Sequence, residues 1–191
     1  MSFSITSHNQ QFSFETTPEL FSPRGLDRGT EAMLSTVTFA PGERVLDLGC
    51  GCGVVGILAA KIVGAENVVM TDIDTDAVRV SKMNAERNAA QGVTVLQSDG
   101  FRDHQETDFD WILSNPPYHE DFSVAKNFIM KGFNRLKIGG KLVMVTRRRL
   151  WYQKKLTSIF GGTEAHEIDG YFVFHAEKRR DSYAARKRRN R

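Results

Sequence analysis

The pattern that most constrains the fold is an alternation of short apolar runs with longer stretches of helical periodicity. Residues 44–48 form a buried-strand run, and after a glycine-rich turn the apolar residues recur at helical spacing from Val54 to Ile62. Similar strand runs follow at 68–71, 93–97, 109–113 and 141–146. Repeated strand and helix units of this kind predict an α/β fold, a doubly wound and mostly parallel sheet with helices on both faces.

Two further strands are predicted near the end of the sequence. Residues 163–168 and 171–176 are strand-like and are joined by Asp169-Gly170, a two-residue signal for a type I′ hairpin. With this antiparallel hairpin the predicted sheet, similar to a Rossmann fold, has seven strands. We expect three regions: an N-terminal arm and hairpin over 1–30 that covers the ligand cleft, a folded domain over 31–177, and a flexible basic tail over 178–191.

Single residues predict several element boundaries. Asp74 is expected to cap a helix that runs to about residue 91, where Gly92 ends it. A helical stripe covers 125–136, and the pair Gly139-Gly140 is expected to turn the chain into the fifth strand.

The first strand is followed by glycines at alternate positions. The run D-L-G-C-G-C-G begins at Asp47 and places glycines at 49, 51 and 53. A dinucleotide-binding fingerprint would need a further glycine at position 54, which is Val54, and a phosphate-binding loop would need a G-K-[ST] that does not follow. Ligands of doubly wound sheets bind beyond the carboxyl ends of the strands. A carboxylate before the glycines therefore suits a cationic ligand or an ammonium group.

Two more acids follow later strands. Asp72 ends the second strand, where a carboxylate can accept both hydroxyls of a ribose, and Asp99 follows the third, where it can accept from an adenine amine. Either acid taken alone is also explained as an ordinary helix cap. Three carboxylates at three strand ends suit a nucleoside with a positively charged appendage.

The fourth strand ends in Ser114-Asn115-Pro116-Pro117-Tyr118. Two consecutive prolines stiffen the backbone where it leaves the sheet. The side-chain carbonyl of Asn115 and the backbone carbonyl of Pro116 can both accept hydrogen bonds from one NH₂ group, and the Tyr118 ring offers a surface on which a planar substrate can stack. The alternative is a loop stiffener without a catalytic role.

Together these motifs resemble a class I S-adenosylmethionine-dependent methyltransferase of the N-P-P-[YF] type. More closely, the chain is similar to the "small" methyltransferase domain of the guanine-N2 methyltransferases that modify small-subunit ribosomal RNA. Residues 21–30, F-S-P-R-G-L-D-R-G-T, match that family's F-S-x-x-x-L-D-x-G-T stretch, and the resemblance runs from about Thr16 to Lys178. Long family members carry a second, degenerate methyltransferase domain in front of this one. This chain has only about twenty residues at that place, so we expect a single-domain form.

The resemblance implies a role for each matching residue. The implied cofactor is S-adenosylmethionine, with contacts from Thr30, Asp47, Gly49, Gly51, Asp72, Asp99 and Asn115. Asn115, Pro116 and Tyr118 would be catalytic and hold the acceptor amine, while Pro117 and Tyr118 would contact the substrate. No metal ion is expected. The expected activity is N-methylation of an exocyclic amine of an RNA base, with guanine N2 of ribosomal RNA favoured.

The distribution of charge supports an RNA partner. Residues 178–191 contain eight Lys or Arg and one Asp, a net charge of +7, whereas the rest of the chain has 18 basic and 22 acidic residues. A basic tail can neutralise nucleic-acid phosphates, although a solubilising terminus is the alternative. Arg147, Arg148 and Arg149 follow the fifth strand and are candidate RNA phosphate contacts, the alternative being a solvated helix start.

Three other functions fit parts of the pattern. N-P-P-Y also occurs in enzymes that methylate the glutamine amide of release factors and in adenine-N6 methyltransferases. The third alternative is a non-catalytic module that binds the cofactor and RNA. The two cysteines, separated by one glycine, fit a reducing cytoplasm. With no signal peptide and no long apolar stretch, we expect a cytoplasmic protein outside the membrane. The oligomeric state is left open.

Overall fold

The computed structural model describes residues 1–18, 20, 25–116 and 122–183 of the chain. Within these residues it contains nine strands and five α-helices. The strands are β1 (Ser2–Ser7), β2 (Gln10–Glu15), β3 (Val45–Leu48), β4 (Val68–Asp72), β5 (Thr94–Gln97), β6 (Phe109–Ser114), β7 (Leu136–Thr146), β8 (Glu164–Ile168) and β9 (Tyr171–Glu177). The helices are α1 (Arg28–Ser35), α2 (Val54–Val63), α3 (Thr75–Arg87), α4 (Ser123–Arg135) and α5 (Arg149–Phe160).

Seven strands form one sheet in the order β5-β4-β3-β6-β7-β9-β8. The first five are parallel, and β9 pairs antiparallel with both β7 and β8. Asp169 and Gly170 have φ values of 49° and 78°, and Ile168 pairs with Tyr171, so the hairpin has the predicted two-residue turn with both central residues at positive φ. The doubly wound, seven-stranded sheet predicted from the sequence is confirmed.

The strands are apolar because helices cover both faces of the sheet. All four residues of β3 are buried. One face packs against α1, α2 and α3 in a core that includes Ile57 and Val143, and the other packs against α4 and α5 around Phe133 and Phe174. This arrangement leaves the carboxyl ends of the parallel strands uncovered by helices.

The N-terminal hairpin β1–β2 lies outside the main sheet and is anchored on α3 by two asparagines. The Asn84 side chain accepts from the Glu15 amide and donates to the Glu15 carbonyl, both at 2.8 Å, and Asn88 pairs in the same way with Ser13 at 3.0 and 2.9 Å. Asn84 also donates to the Cys52 carbonyl at 2.9 Å. One side chain therefore joins the hairpin to the glycine turn after β3.

Helix α3 ends earlier than the sequence predicts. Its cap at Asp74 is as expected, since that side chain accepts from the Asp76 amide. The helix ends at Arg87 and not near residue 91, because Asn88 bonds to the hairpin and Ala89 adopts a left-handed conformation with φ of 52°. The prediction that Gly92 ends this helix was therefore wrong.

Strand β7 begins earlier than predicted. Leu136 already pairs with Phe109 of β6, and the register then shifts so that Lys141 pairs with Trp111. Gly139 has φ of 85°, and a Cβ on Gly140 would lie 2.6 Å from the Phe109 carbonyl oxygen. The two glycines therefore form an irregularity inside a strand and not a turn in front of it.

The described part of the basic segment lies against the domain. Lys178 is buried, and its Nζ donates to the Leu136 carbonyl at 2.6 Å. Arg180 donates to the Ile159 carbonyl at 2.9 Å, and the ring of Tyr183 meets that of Phe133 edge-on. Lys178, Arg180 and Tyr183 thus contact the domain, whereas Arg179, Asp181 and Ser182 are exposed, and 184–191 lie outside the described residues. None of the helices in the described chain is long and apolar enough to cross a bilayer.

Candidate active site

A cavity of about 420 Å³ opens at the carboxyl ends of β3, β4, β5 and β6. The N-terminal segment contributes Phe3, Leu20 and the start of α1 to its wall. The predicted site residues that line it are Thr30, Asp47, Gly49, Gly51, Asp72, Asp99, Asn115 and Pro116. Thr30 comes from α1, and the other residues are brought together because parallel strands end at one edge of the sheet.

The glycine turn after β3 is held against β4 and leaves space above it. The amides of Gly49 and Cys50 both donate to the Thr71 carbonyl, at 2.8 and 2.9 Å. Gly49 and Gly51 have φ values of 78° and 54°, and a Cβ on either would meet no described atom within 4 Å. Glycine is therefore favoured by the backbone conformation, and its missing side chain leaves the turn open to a ligand.

Asp47 lies beneath this turn and is 3% exposed. Its Oδ2 accepts from the Gly56 amide at 2.9 Å. Burial raises the pKa of this carboxyl to about 7, the Gly56 hydrogen bond opposes the rise and the nearby Asp72 adds to it. A cation entering the cavity would favour the ionised form, so the group is suited to respond to a positively charged ligand.

Local hydrogen bonds orient the Asp72 carboxylate, whereas Asp99 is exposed with Arg102 3.9 Å from its Oδ2. Asp72 accepts from the Gly51 amide at 2.8 Å through Oδ2 and from the Asp74 amide at 3.0 Å through Oδ1. Each carboxylate oxygen has a further lone pair for a ligand. Asp99 is exposed at the cavity rim, and its own amide donates to Asp103 at 3.1 Å.

Asn115 follows β6 directly and bonds to the start of α1. Its Nδ2 donates to Asp27 Oδ1 at 2.7 Å and to Thr30 Oγ1 at 3.1 Å. Asp27 also caps α1, because the same Oδ1 accepts from the Thr30 amide at 3.0 Å. Asp27 lines the cavity but was not among the predicted site residues. The signal that could have found it is the L-D-x-G-T spacing, in which the acid stands at a cap position.

Gly29 allows Asp27 and Tyr171 to pack closely at the start of α1. A Cβ there would lie 3.0 Å from Asp27 Oδ1 and 3.0 Å from Cε1 of Tyr171. A larger residue at position 29 would therefore press on the carboxylate that bonds to Asn115.

The three predicted RNA-contacting arginines follow β7 at the same edge of the sheet. They are exposed and are not among the described residues that line the cavity. Arg147 lies 4.6 Å over the Tyr171 ring and donates to its hydroxyl at 3.0 Å, while Arg148 and Arg149 lie over Phe122 and Phe172. Aromatic neighbours thus hold all three guanidinium groups near the carboxyl end of β7.

The remaining candidates fall into two groups. Pro117 and Tyr118 lie outside the described residues. Cys50 and Cys52 line the cavity, and burial raises the pKa of the Cys52 thiol to about 11 and that of Cys50 well above its usual value. Both cysteines therefore stay protonated at neutral pH and fill space in the turn. Over the described ranges, no group of three His, Cys, Asp or Glu side chains is placed to hold a metal ion.

The doubly wound seven-stranded sheet, with a cavity over a glycine turn and carboxylates at successive strand ends, defines the class I methyltransferase fold. The comparison with known sequences assigns the family. Residues 11–175 match the methyltransferase small domain family, and the chain belongs to that family. The resemblance inferred from the motifs is thereby confirmed.

Relatives and solved structures agree with this assignment. The chain is 30% identical over 181 residues to a ribosomal RNA small subunit methyltransferase C of Pseudomonas putida, covering 92% of this chain and 54% of the relative. It is 35% identical over 166 residues to the protein of that name from Hahella chejuensis, with 84% and 48% covered. The structure of the T. thermophilus 16S rRNA N2 G1207 methyltransferase (RsmC) in complex with AdoMet and guanosine matches with a TM-score of 0.84 at 28% identity, covering 94% of this chain and 50% of that one. The chain thus spans about half the length of these relatives.

Proposed function

We propose that this chain is an S-adenosylmethionine-dependent methyltransferase that acts on an exocyclic amine of ribosomal RNA, with guanine N2 as the acceptor. The observation that carries the proposal is the placement of Asn115 and Pro116 on the wall of the cavity that also holds three strand-end carboxylates. The relatives named as small-subunit ribosomal RNA methyltransferases, and the matched structure with AdoMet and guanosine, support this choice of donor and acceptor.

Different residues of the cavity are proposed to contact different parts of the methyl donor. In the proposal, Asp72 accepts the ribose hydroxyls and Asp99 accepts from the adenine amine, because each acid follows its strand at the cavity. Asp47 provides negative charge beneath the ammonium group. Gly49 and Gly51 leave room for close approach of the donor to the backbone. Thr30 contacts the same cavity from α1.

The proposed reaction is an in-line displacement. S-adenosylmethionine supplies a methyl group on a positively charged sulfur. The nitrogen lone pair forms the new bond to the methyl carbon, the carbon–sulfur bond breaks with its electron pair going to sulfur, and the methylated nitrogen releases a proton to water. The Asn115 side-chain carbonyl and the Pro116 backbone carbonyl hold the NH₂ group and offset the positive charge that develops on it. Positioning and electrostatic stabilisation then provide most of the rate increase.

The rest of the chain is proposed to hold the RNA. Arg147, Arg148 and Arg149 contact phosphates at the cavity rim, and Pro117 and Tyr118 contact the target base. In this organisation residues 1–30 cover the donor site, 31–177 are the catalytic domain and 178–191 add basic charge. A target base within RNA structure would need to be unstacked to reach the cavity. The proposed site of action is the cytoplasm.

The experiment is transfer of radiolabelled methyl from S-adenosylmethionine to small ribosomal subunits, total tRNA and release factor, followed by digestion of labelled RNA to nucleosides. We expect label in N2-methylguanosine of small-subunit RNA. Asn115→Ala should lose at least about 100-fold in kcat, the usual scale for removing one stabilising group from a reaction centre. Asn134→Ala, at an exposed position of α4, is the matched control and should retain wild-type activity.

The other outcomes decide between the alternatives. Label in N6-methyladenosine or in release factor would contradict the guanine acceptor while retaining the donor. Binding of S-adenosylmethionine with transfer to none of these acceptors would contradict the proposed activity on ribosomal RNA and favour a binding module.

A further inference from the structure

The side-chain amide of Asn115 has one orientation that its surroundings accept. Its Nδ2 lies 2.7 Å from Asp27 Oδ1 and 3.1 Å from Thr30 Oγ1. A carboxylate oxygen only accepts hydrogen bonds, so the NH₂ end of the amide must face it. Flipping the amide would place the Asn115 carbonyl oxygen against a carboxylate oxygen at hydrogen-bond distance, which is repulsive. The NH₂ end is therefore directed to α1 and the carbonyl end away from it.

Asp27 is itself held in place from several sides. It caps α1 through the bond from the Thr30 amide to its Oδ1, and its extended backbone, with φ of −63° and ψ of 135°, is that of a helix cap. Helix α1 is anchored in the core by the buried Ala32 and Met33. Gly29 leaves the space that the carboxylate occupies. The acceptor is thus a fixed point on a packed helix, 88 residues away from Asn115 in sequence.

We propose that Asp27 is a positioning residue that directs the Asn115 side-chain carbonyl toward the acceptor amine and strengthens it as a hydrogen-bond acceptor. The inference rests on the proposed function, since it needs Asn115 to hold that amine. Hydrogen bonds in a chain polarise one another, so a carboxylate at the NH₂ end makes the carbonyl oxygen at the other end more negative. Thr30 assists as the second acceptor of the same NH₂ group.

The stabilisation that Asp27 provides through Asn115 increases as the reaction proceeds. As the amine nitrogen bonds to the methyl carbon and the carbon–sulfur bond breaks, the nitrogen becomes positively charged until it releases a proton to water. The Asp27 carboxylate lies one amide group away from that charge and stabilises it in the low-dielectric cavity. In the proposal the proton goes to water and not to Asp27, whose Oδ1 already accepts from Asn115 and from the Thr30 amide.

Two variants separate the charge of Asp27 from its capping role. Asp27→Asn keeps a capping side chain and an acceptor oxygen but removes the charge, whereas Asp27→Ser keeps a capping side chain that is too short to reach Asn115. We expect kcat to fall by roughly tenfold or more in Asp27→Ser, the usual scale for a lost charge-assisted hydrogen bond, and by less in Asp27→Asn. The melting temperature and the affinity for S-adenosylmethionine should change little in both. Glu31→Gln removes an exposed charge from the same helix turn and is the matched control that should keep wild-type kcat.

A double-mutant cycle tests whether Asp27 acts through Asn115. With single-turnover transfer to the acceptor that the labelling experiment identifies, Asp27→Ser should lower the rate in the wild-type background but by less than about twofold in Asn115→Ala. Equal losses in the two backgrounds would overturn the proposal and indicate a direct contact of Asp27 with donor or acceptor. A wild-type kcat in Asp27→Ser would overturn it as well.

A readout without turnover keeps this inference separate from the proposed activity. In protein labelled with ¹⁵N-asparagine, the Asn115 side-chain NH₂ should show slow hydrogen exchange in the wild type and fast exchange in Asp27→Ser, while the Asn134 resonance stays unchanged. Fast exchange in both proteins would overturn the orientation of Asn115 whatever the enzyme methylates. Slow exchange in the wild type with no transfer to RNA would instead count against the proposed function.

Discussion

Replacing Asp47 with asparagine should make the protein more stable at alkaline pH and leave its stability at acid pH unchanged. Asparagine keeps an oxygen that can accept from the Gly56 amide at 2.9 Å but carries no charge. The wild-type carboxyl is 3% exposed, and burial raises its pKa from 3.8 to about 7. Asparagine therefore imitates the protonated form that the fold prefers.

The sign and size of the effect follow from proton linkage. Between pH 3.8 and about 7 the folded Asp47 retains a proton that the unfolded chain has lost, so the free energy of unfolding falls as pH rises through this window. At about 1.4 kcal/mol for each pKa unit, the full shift corresponds to at most about 4 kcal/mol. The free energy of unfolding of Asp47→Asn should therefore exceed that of the wild type by up to this amount above pH 7.5 and equal it near pH 4.

The assay is denaturant unfolding of both proteins at half-unit steps from pH 4 to 8. His175 acts in the opposite direction, because burial lowers its pKa to about 4 and its stabilising contribution is lost as pH falls from 6.5. That contribution is present in both proteins and cancels in their difference. A difference that stays flat across the range would refute the raised pKa of Asp47 in the folded protein.

The same group connects stability to ligand binding. If an ammonium group binds near Asp47, it favours the ionised carboxylate, so binding releases a proton below pH 7. Wild-type affinity for S-adenosylmethionine should then rise with pH up to about 7, and Asp47→Asn should bind more weakly with little pH dependence. Calorimetry in two buffers of different ionisation enthalpy measures the released proton.

Two further changes test the rim and the N-terminal hairpin. Replacing arginines 147–149 with glutamate should weaken RNA binding and flatten its salt dependence without changing affinity for S-adenosylmethionine. The matched control places glutamate at three exposed lysines, Lys61, Lys82 and Lys131. Equal losses of RNA affinity in the two triple variants would contradict a specific contact of the arginines. Asn84→Ala removes three hydrogen bonds of a buried side chain and should lower the free energy of unfolding by about 3 kcal/mol. Amide hydrogen exchange should increase first in β2. Unchanged exchange in β2 would show that other contacts hold the hairpin.

The sequence located the main parts of the cavity because those parts are local. Asp47, Asp72 and Asn115 each lie at the end of an apolar run, so recognising the strand was enough to place each residue at its carboxyl end. Repeated strand–helix units then imply parallel strands, which brings these ends to one edge. Fold and cavity were therefore predictable without knowing any contact between distant residues.

Element boundaries were less predictable because tertiary contacts decide them. Helix α3 stops at Arg87 since Asn88 bonds to Ser13 of the hairpin, and nothing near Asn88 in sequence indicates that partner. Gly139-Gly140 is typical of a turn, yet the backbone of Phe109 lies so close that the pair sits within a strand. Lys178 resembles the start of a solvated tail but its ammonium group reaches a buried carbonyl.

Asp27 shows the limit of local rules most clearly. Its L-D-x-G-T spacing could have drawn attention to the residue, but a helix cap explains that spacing, so the sequence alone did not indicate a contact with Asn115. In the structure Asn115 Nδ2 donates both to Asp27 and to Thr30, and Gly29 leaves space for the Asp27 carboxylate and for Tyr171. An aspartate that only caps a helix needs neither a glycine at position 29 nor a second acceptor at Thr30. The positioning of Asn115 therefore explains these three residues together better than capping alone.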